Sequence, residues 1–215
     1  YSPDIVMLGF FVGNDFQEAK INFNTNDITI RFGNLHQKRK DKFKITDQSY
    51  FFYLLDYYRK MFLNEFTKKN SNSTFSKSNF LNIEKNRLEI CYQTFYQTEH
   101  WQNTKITILN FKEILDKKNI KFILIILPDQ FQVDINLQKE LFSNFKDIDR
   151  NQIIFDLPQK KIIEFCNKNN IEYIDILPEF QKVAENTELY LLQDTHFNLK
   201  GNRLCSEIIA KKIKD

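Results

Sequence analysis

Two short polar clusters in this sequence have the residue types and the setting for proton-transfer chemistry. Late in the chain, Asp194-Thr195-His196 follows Leu191-Leu192-Gln193 and precedes Phe197-Asn198, with Gly201 close behind. Near the start, Gly13-Asn14-Asp15 follows an apolar run that ends in Phe10-Phe11-Val12. An imidazole with an unperturbed pKa of about 6.5 can take a proton from a hydroxyl at neutral pH and return it to a leaving group. A carboxylate two residues earlier projects to the same side of an extended segment. From there Asp194 can hold the tautomer of His196 and stabilise the imidazolium. The amide N–H of Asn14, just past a strand, is placed to donate to a developing oxyanion. Asp15 is expected to brace the turn or cap the next segment rather than to react. Taken together the two clusters suit acyl transfer, and a base of this kind implies a nucleophile for it to activate.

Each cluster alone has a plainer explanation. Asn-Asp after a strand is ordinary turn chemistry, and capping accounts for an Asp-x-His before a helix. The nucleophile is not evident in the sequence. Ser2 precedes the first strand-like run at its wrong end, and Ser71, Ser73, Ser76 and Ser78 belong to a polar stretch with no positioned partner.

The scaffold for these clusters is legible as strands alternating with helices. Residues 3–10 are a continuous apolar run, the pattern of a buried parallel strand. Residues 121–127 and 172–177 repeat that pattern, and each is followed by a proline. Helical spacing is read over 50–66, and from about 83 to 118 with a break near 101–104. It recurs over about 136–145, 159–169, 179–185 and 199–214, with Asn198 as N-cap of the last helix. Residues 68–79 are Ser/Asn-rich and read as a loop, while 21–33 alternate weakly, as a hairpin or an irregular insertion would. The pattern predicts one α/β domain over 1–215, with a parallel sheet covered on both faces and an insertion over 17–118. Ligands of such sheets bind outside the carboxyl ends of the strands, where both clusters would meet. Only three strands are in view, and the first lies at the very start, so one or two more are expected upstream of Tyr1. Localisation is left open for the same reason.

Composition narrows the function classes. The 31 basic and 28 acidic side chains leave a net charge of +3, too weak a field to predict nucleic-acid binding. A 42% hydrophobic content with 22 Phe argues for a well-filled core. Cys91, Cys166 and Cys205 are far apart in helix-like patterns and read as buried free thiols. No Cys/His spacing suggests zinc, and four glycines supply neither a P-loop nor a dinucleotide fingerprint. We therefore expect no metal and no organic cofactor. No stretch approaches the roughly 20 apolar residues that span a bilayer. His36 in a basic loop and His100 beside Trp101 are read as surface or packing residues. The aromatic segment 50–66 reads as a buried helix, with a lid or acyl-chain wall as the functional alternative. Lys38, Arg39, Lys40, Lys42, Lys44, Arg59 and Lys60 would suit an anionic lipid or sugar surface.

The strand ending in Gly13-Asn14-Asp15 and the late Asp194-Thr195-His196-Phe197-Asn198 with Gly201 resemble the third and fifth blocks of the SGNH (GDSL-type) hydrolases. That resemblance implies a flavodoxin-like, three-layer α/β/α fold carrying serine-dependent ester chemistry. It assigns His196 and Asp194 to the catalytic triad, Asn14 and Gly13 to the oxyanion and substrate side, and Asp15 to a supporting role. In the family the serine lies in a Gly-Asp-Ser block, and a second-block glycine helps form the oxyanion hole; both are expected upstream of Tyr1. Two departures stand out. The first glycine of the usual Gly-x-Asn-Asp is replaced by Val12, and the usual Asp-x-x-His is one residue shorter. The shorter form is similar to the branch containing alginate-type O-acetyltransferases, as is the segment from Leu127-Pro128-Asp129 through Val133. Residues 17–118 carry no resemblance. The expected activity is hydrolysis of O-acyl or O-acetyl esters of a carbohydrate or lipid. O-acetyl transfer to a polysaccharide, and a non-catalytic SGNH-like binding module, are the alternatives.

Overall fold

In Lys121-Phe-Ile-Leu-Ile-Ile-Leu127 the five residues after Lys121 are buried in succession, as expected of a central strand covered on both faces. A computed structural model describes residues 3–18 and 73–214, and element labels below run in chain order over those residues. Strand β1 is Ile5–Phe11, β2 is Lys121–Leu127 and β3 is Glu172–Asp175. They form a parallel sheet in the order β1-β2-β3, with Ile5 opposite Lys121 and Ile123 opposite Glu172. The helices are α1 (Asp15–Glu18), α2 (Lys77–Arg87), α3 (Glu99–Asp116), α4 (Gln130–Val133), α5 (Ile135–Asn144), α6 (Leu157–Lys168), α7 (Leu177–Ala184) and α8 (Leu199–Lys214). The fold is thus mixed α/β around a parallel three-stranded sheet.

Strand side chains alternate between faces, and β2 divides the core accordingly. Phe122, Leu124 and Ile126 join a cluster with Phe10, Val12, Ile108 of α3, and Ile162 and Phe165 of α6. Ile123 and Ile125 join a second cluster with Ile174 and with Phe180 of α7, against which Leu204 and Ile208 of α8 pack. Much of the phenylalanine content lies in the first cluster. There Phe16 is fully buried and meets Phe10, Phe95 and Trp101 with ring centroids 5.0, 5.4 and 5.9 Å away.

Two helix-to-strand junctions share one device. Asn119 and Asn170 adopt the left-handed conformation, with φ of 54° and 51°, which asparagine tolerates better than most residues. The next residue is an isoleucine in both cases, and its amide reaches back five residues, Ile120 to Leu115 O at 3.0 Å and Ile171 to Cys166 O at 2.9 Å. This pairing ends a helix and turns the chain into a strand.

Several boundaries differ from the sequence reading. Helix α2 begins at Lys77, inside the polar stretch 68–79, because Ser76 accepts the amide of Asn79 at 3.3 Å and caps it. The break expected near 101–104 falls instead at 92–98, where Tyr92 and Thr98 have extended dihedrals between short 3₁₀ turns. Trp101 lies inside α3 and is buried. Strand β3 ends at Asp175, whose Oδ1 takes the amide of Leu177 at 3.0 Å; Pro178 then sits in the first turn of α7, where a missing N–H costs nothing. Residues 73–118 belong to the same compact unit as the sheet. The helix read over 50–66, the alternation at 21–33, His36 and the basic residues from Lys38 to Lys60 lie outside the described residues. The three cysteines are free thiols; Cys91 and Cys166 are buried, and Cys205 is half-buried.

Candidate functional site

Asp194 and His196 sit in a narrow hairpin that joins the apolar run at Leu189 to α8. Tyr190 and Phe197 bridge in antiparallel fashion, the Leu191 amide donates to His196 O at 3.0 Å, and the Asn198 amide donates to Leu189 O at 2.9 Å. Asn198 caps α8 through Oδ1, which accepts from Lys200 N at 2.8 Å and Gly201 N at 3.0 Å, as its residue type predicts. Gly201 is demanded by close approach: a Cβ there would lie 2.2 Å from Leu189 O. At the hairpin tip Gln193 takes φ of 49°. That conformation is uncommon for a residue other than Gly, Asn or Asp, and its carbonyl is held by the Phe75 amide at 3.2 Å.

The aspartate and histidine pair directly. Asp194 Oδ1 accepts from His196 Nδ1 at 2.6 Å and from the His196 amide at 2.9 Å. The Asp194 side chain is 6% exposed and the His196 side chain 80% exposed, so a buried carboxylate holds an imidazole that faces outward. With Nδ1 engaged, Nε2 is the ring nitrogen left for proton transfer. Desolvation raises the carboxyl of Asp194, but hydrogen bonds from Thr74 and His196 outweigh it and set the group below its ordinary value. Thr74 was not foreseen from the sequence; it arrives from the end of the Ser/Asn-rich stretch.

The early cluster lies at the carboxyl end of β1. Asp15 Oδ2 accepts the Phe11 amide at 2.7 Å, which braces the turn as expected. The Asn14 amide closes that turn on Phe11 O at a long 3.4 Å, and Asn14 O takes the Gln17 amide at 3.0 Å. Gly13 is buried, and a Cβ on it would fall 2.1 Å from Asp129 Oδ2 and 2.6 Å from the Phe11 ring. Only glycine fits against this carboxylate.

The end of β2 joins the two clusters. Ile126 O accepts from Ile176 N at 3.2 Å, Leu127 O from Val12 N at 3.1 Å, and Pro128 O from Tyr190 Oη at 2.8 Å. Three successive carbonyls thereby fasten the exits of β3 and β1 and the Asp194 hairpin to one strand end. Asp129, next in line, meets Arg87 Nη1 at 3.2 Å, and the same nitrogen lies 3.4 Å from Glu84 Oε1. Sequence reading missed this buried group, although Glu84 falls in the apolar stripe formed by Phe80 and Leu81 of α2 and by Leu88 just past its end, where a carboxylate is out of place.

A cavity of about 840 Å³ opens beside the hairpin, walled by Leu191, Leu192 and Gln193 together with Gln130, Ile135 and Glu188. Its wall stops one residue short of Asp194. Among the described residues no helix is long and apolar enough to cross a membrane, and no group of three or more His, Cys, Asp or Glu could hold a metal ion. His100 is exposed, with its ring parallel to that of Phe95. No family model, no curated protein and no solved structure matches this chain.

Proposed function

We propose that this chain carries the base, its orienting acid and an oxyanion donor of a serine-dependent acyl-transfer enzyme of the SGNH type. The observation that carries this reading is the 2.6 Å bond from buried Asp194 to exposed His196. It is the arrangement a general base needs: a fixed tautomer, a stabilised imidazolium and one open nitrogen. His196 Nε2 takes the proton from a serine hydroxyl as the oxygen attacks an ester carbonyl, then delivers that proton to the departing alcohol. Water, or an acceptor hydroxyl, enters by the reverse sequence to release the acyl group. The Asn14 backbone amide is engaged with Phe11 O, so the oxyanion role is given to its side-chain carboxamide. The reading requires a serine nucleophile in a Gly-Asp-Ser block, a triplet that residues 1–215 do not contain. Sheet residues buried on both faces of β2 support a three-layer, flavodoxin-like α/β/α architecture. The cavity at Leu191–Gln193 supports a small-molecule, carbohydrate or lipid ester as substrate, with hydrolysis ahead of O-acetyl transfer to a polysaccharide.

The test is labelling of the intact protein with a fluorophosphonate serine probe. Wild type is expected to label, and His196→Ala to label at least 100-fold more slowly. Equal labelling of the two removes His196 from catalysis, and no labelling of a folded wild type favours a non-catalytic binding module. Asn14→Ala should slow ester turnover by about 100-fold or more; a rate within a few-fold of wild type takes Asn14 out of the oxyanion hole.

A further inference from the structure

Beneath the turn between β1 and α1 lies a group of buried charges that the chemistry above does not use. Glu84 and Asp129 are each 0% exposed, and Arg87 is the cation that reaches both. The two carboxyls stand within hydrogen-bond range of each other. When both are ionised neither can donate to the other, and Glu84 Oε2 and Asp129 Oδ1 are each left buried without a donor. Two negative charges would then face a single guanidinium in a water-poor interior, which is a costly state. One proton removes both difficulties: the acid donates to the carboxylate, and the remaining negative charge balances Arg87.

We propose that Glu84 and Asp129 share a single proton at neutral pH, and that this pair, clamped by Arg87, is a positioning device for the Gly13–Asn14 turn. The contact that transmits it is Asp129 Oδ2 against the Gly13 backbone, close enough that no Cβ fits between them. Arg87 also lies over the Phe11 ring, 5.2 Å from its centroid, so the cation touches the same turn. Burial first, and then the charge of Asp129, hold the Glu84 carboxyl well above its ordinary range. Burial raises Asp129 as well, opposed by Arg87, by the hydrogen bond from Glu84 and by the backbone amides of Gln130 and Phe131. Among the described residues, the other titratable groups whose charge states interact with the pair are Cys91 and Tyr190. Burial, aided by the charge of Asp129, keeps both protonated. Loss of the shared proton would put a second negative charge beside Gly13 and displace Asp129 from its place under the turn. The consequence for catalysis rests on the oxyanion role proposed for Asn14; the proton sharing itself does not.

Infrared difference spectroscopy and amide NMR of wild type and Glu84→Gln test this without an activity assay. Wild type should keep a protonated-carboxyl band at pH 7, where exposed glutamates, with pKa about 4.3, are ionised. Glu84→Gln, whose amide can donate in place of the acid, should lose that band. The Gly13 amide resonance should titrate with the band in wild type as pH is raised, and stay flat in Glu84→Gln. Absence of the band at pH 7, or a Gly13 resonance that titrates alike in both proteins, overturns the proposal. If Glu84→Gln does not fold, selective carbon labelling of glutamate and aspartate side chains in wild type decides the matter: one un-ionised carboxyl between Glu84 and Asp129 at pH 7 supports it, and none overturns it. Serine-probe labelling is read separately, so failure of the acyl-transfer reading is distinguishable from failure of this one.

Discussion

Removing the Asp194 carboxylate should loosen the hairpin by an amount the geometry allows to be worked out. Its Oδ1 accepts the His196 amide and Nδ1, and Thr74 adds a side-chain bond. Hydrogen bonds to a charged group contribute about 1.5–3 kcal/mol each when well buried. The imidazole bond is discounted heavily because the ring is 80% exposed and can rehydrate. The half-buried His196 amide and Thr74 then carry most of the effect, so Asp194→Ala should cost about 2–3 kcal/mol. For a domain of this size that lowers Tm by roughly 4–12 °C. Asp194→Asn, which keeps an acceptor of equal volume and loses the charge, should cost about 1 kcal/mol. The sign with pH follows from the folded carboxyl lying below its ordinary value. Its stabilisation is complete above the unfolded pKa of about 3.9 and is lost as pH falls through the lower folded one. Urea unfolding followed by circular dichroism should therefore show a constant gap between wild type and variant from about pH 5 to pH 8, closing below about pH 4. An Asp194→Ala variant within about 0.5 kcal/mol of wild type at pH 7, below the range for a buried charged bond, would refute the reasoning.

Two further outcomes follow from close contacts. Gly13→Ala forces a methyl into the space of Asp129 Oδ2 and the Phe11 ring and should destabilise by about 1–3 kcal/mol. Gly9→Ala, whose Cβ would meet only Leu127 Cδ1 at 3.5 Å, should be close to neutral, and equal Tm values for the two variants would contradict the assignment. Tyr190→Phe leaves Pro128 O without its buried donor and should cost about 1–2 kcal/mol. Amide exchange at Leu191 would then quicken roughly tenfold, whereas unchanged exchange would show that the hydroxyl does not tether the hairpin.

The parts of this fold that the sequence discloses are those set by local chemistry. Strand β2 reads from its unbroken apolar run and Pro128, and α8 from Asn198 and the periodicity behind it, because capping and burial act on neighbours in the chain. The start of α2 did not read so, since Ser76 was one of several similar residues in a polar stretch and only one of them caps. The break before α3 was misplaced because Trp101, taken for a boundary, is a core residue on the helix face. In the candidate site the pairing of Asp194 with His196 could be anticipated from spacing alone. Thr74, Arg87 and Tyr190 could not, because each reaches its partner across more than 40 residues and no pattern marks the encounter.

The three carbonyls of Ile126, Leu127 and Pro128 make the site's parts share one fate. A fluctuation that frays the end of β2 releases the exit of β1, the exit of β3 and the hairpin together. Protection from solvent exchange should accordingly rise and fall in concert at Val12, Ile176 and Leu191, as for a single cooperative unit. The Asp194–His196 pair and the Gly13–Asn14 turn are then either both in place or both released, and a half-assembled arrangement is a sparsely populated state.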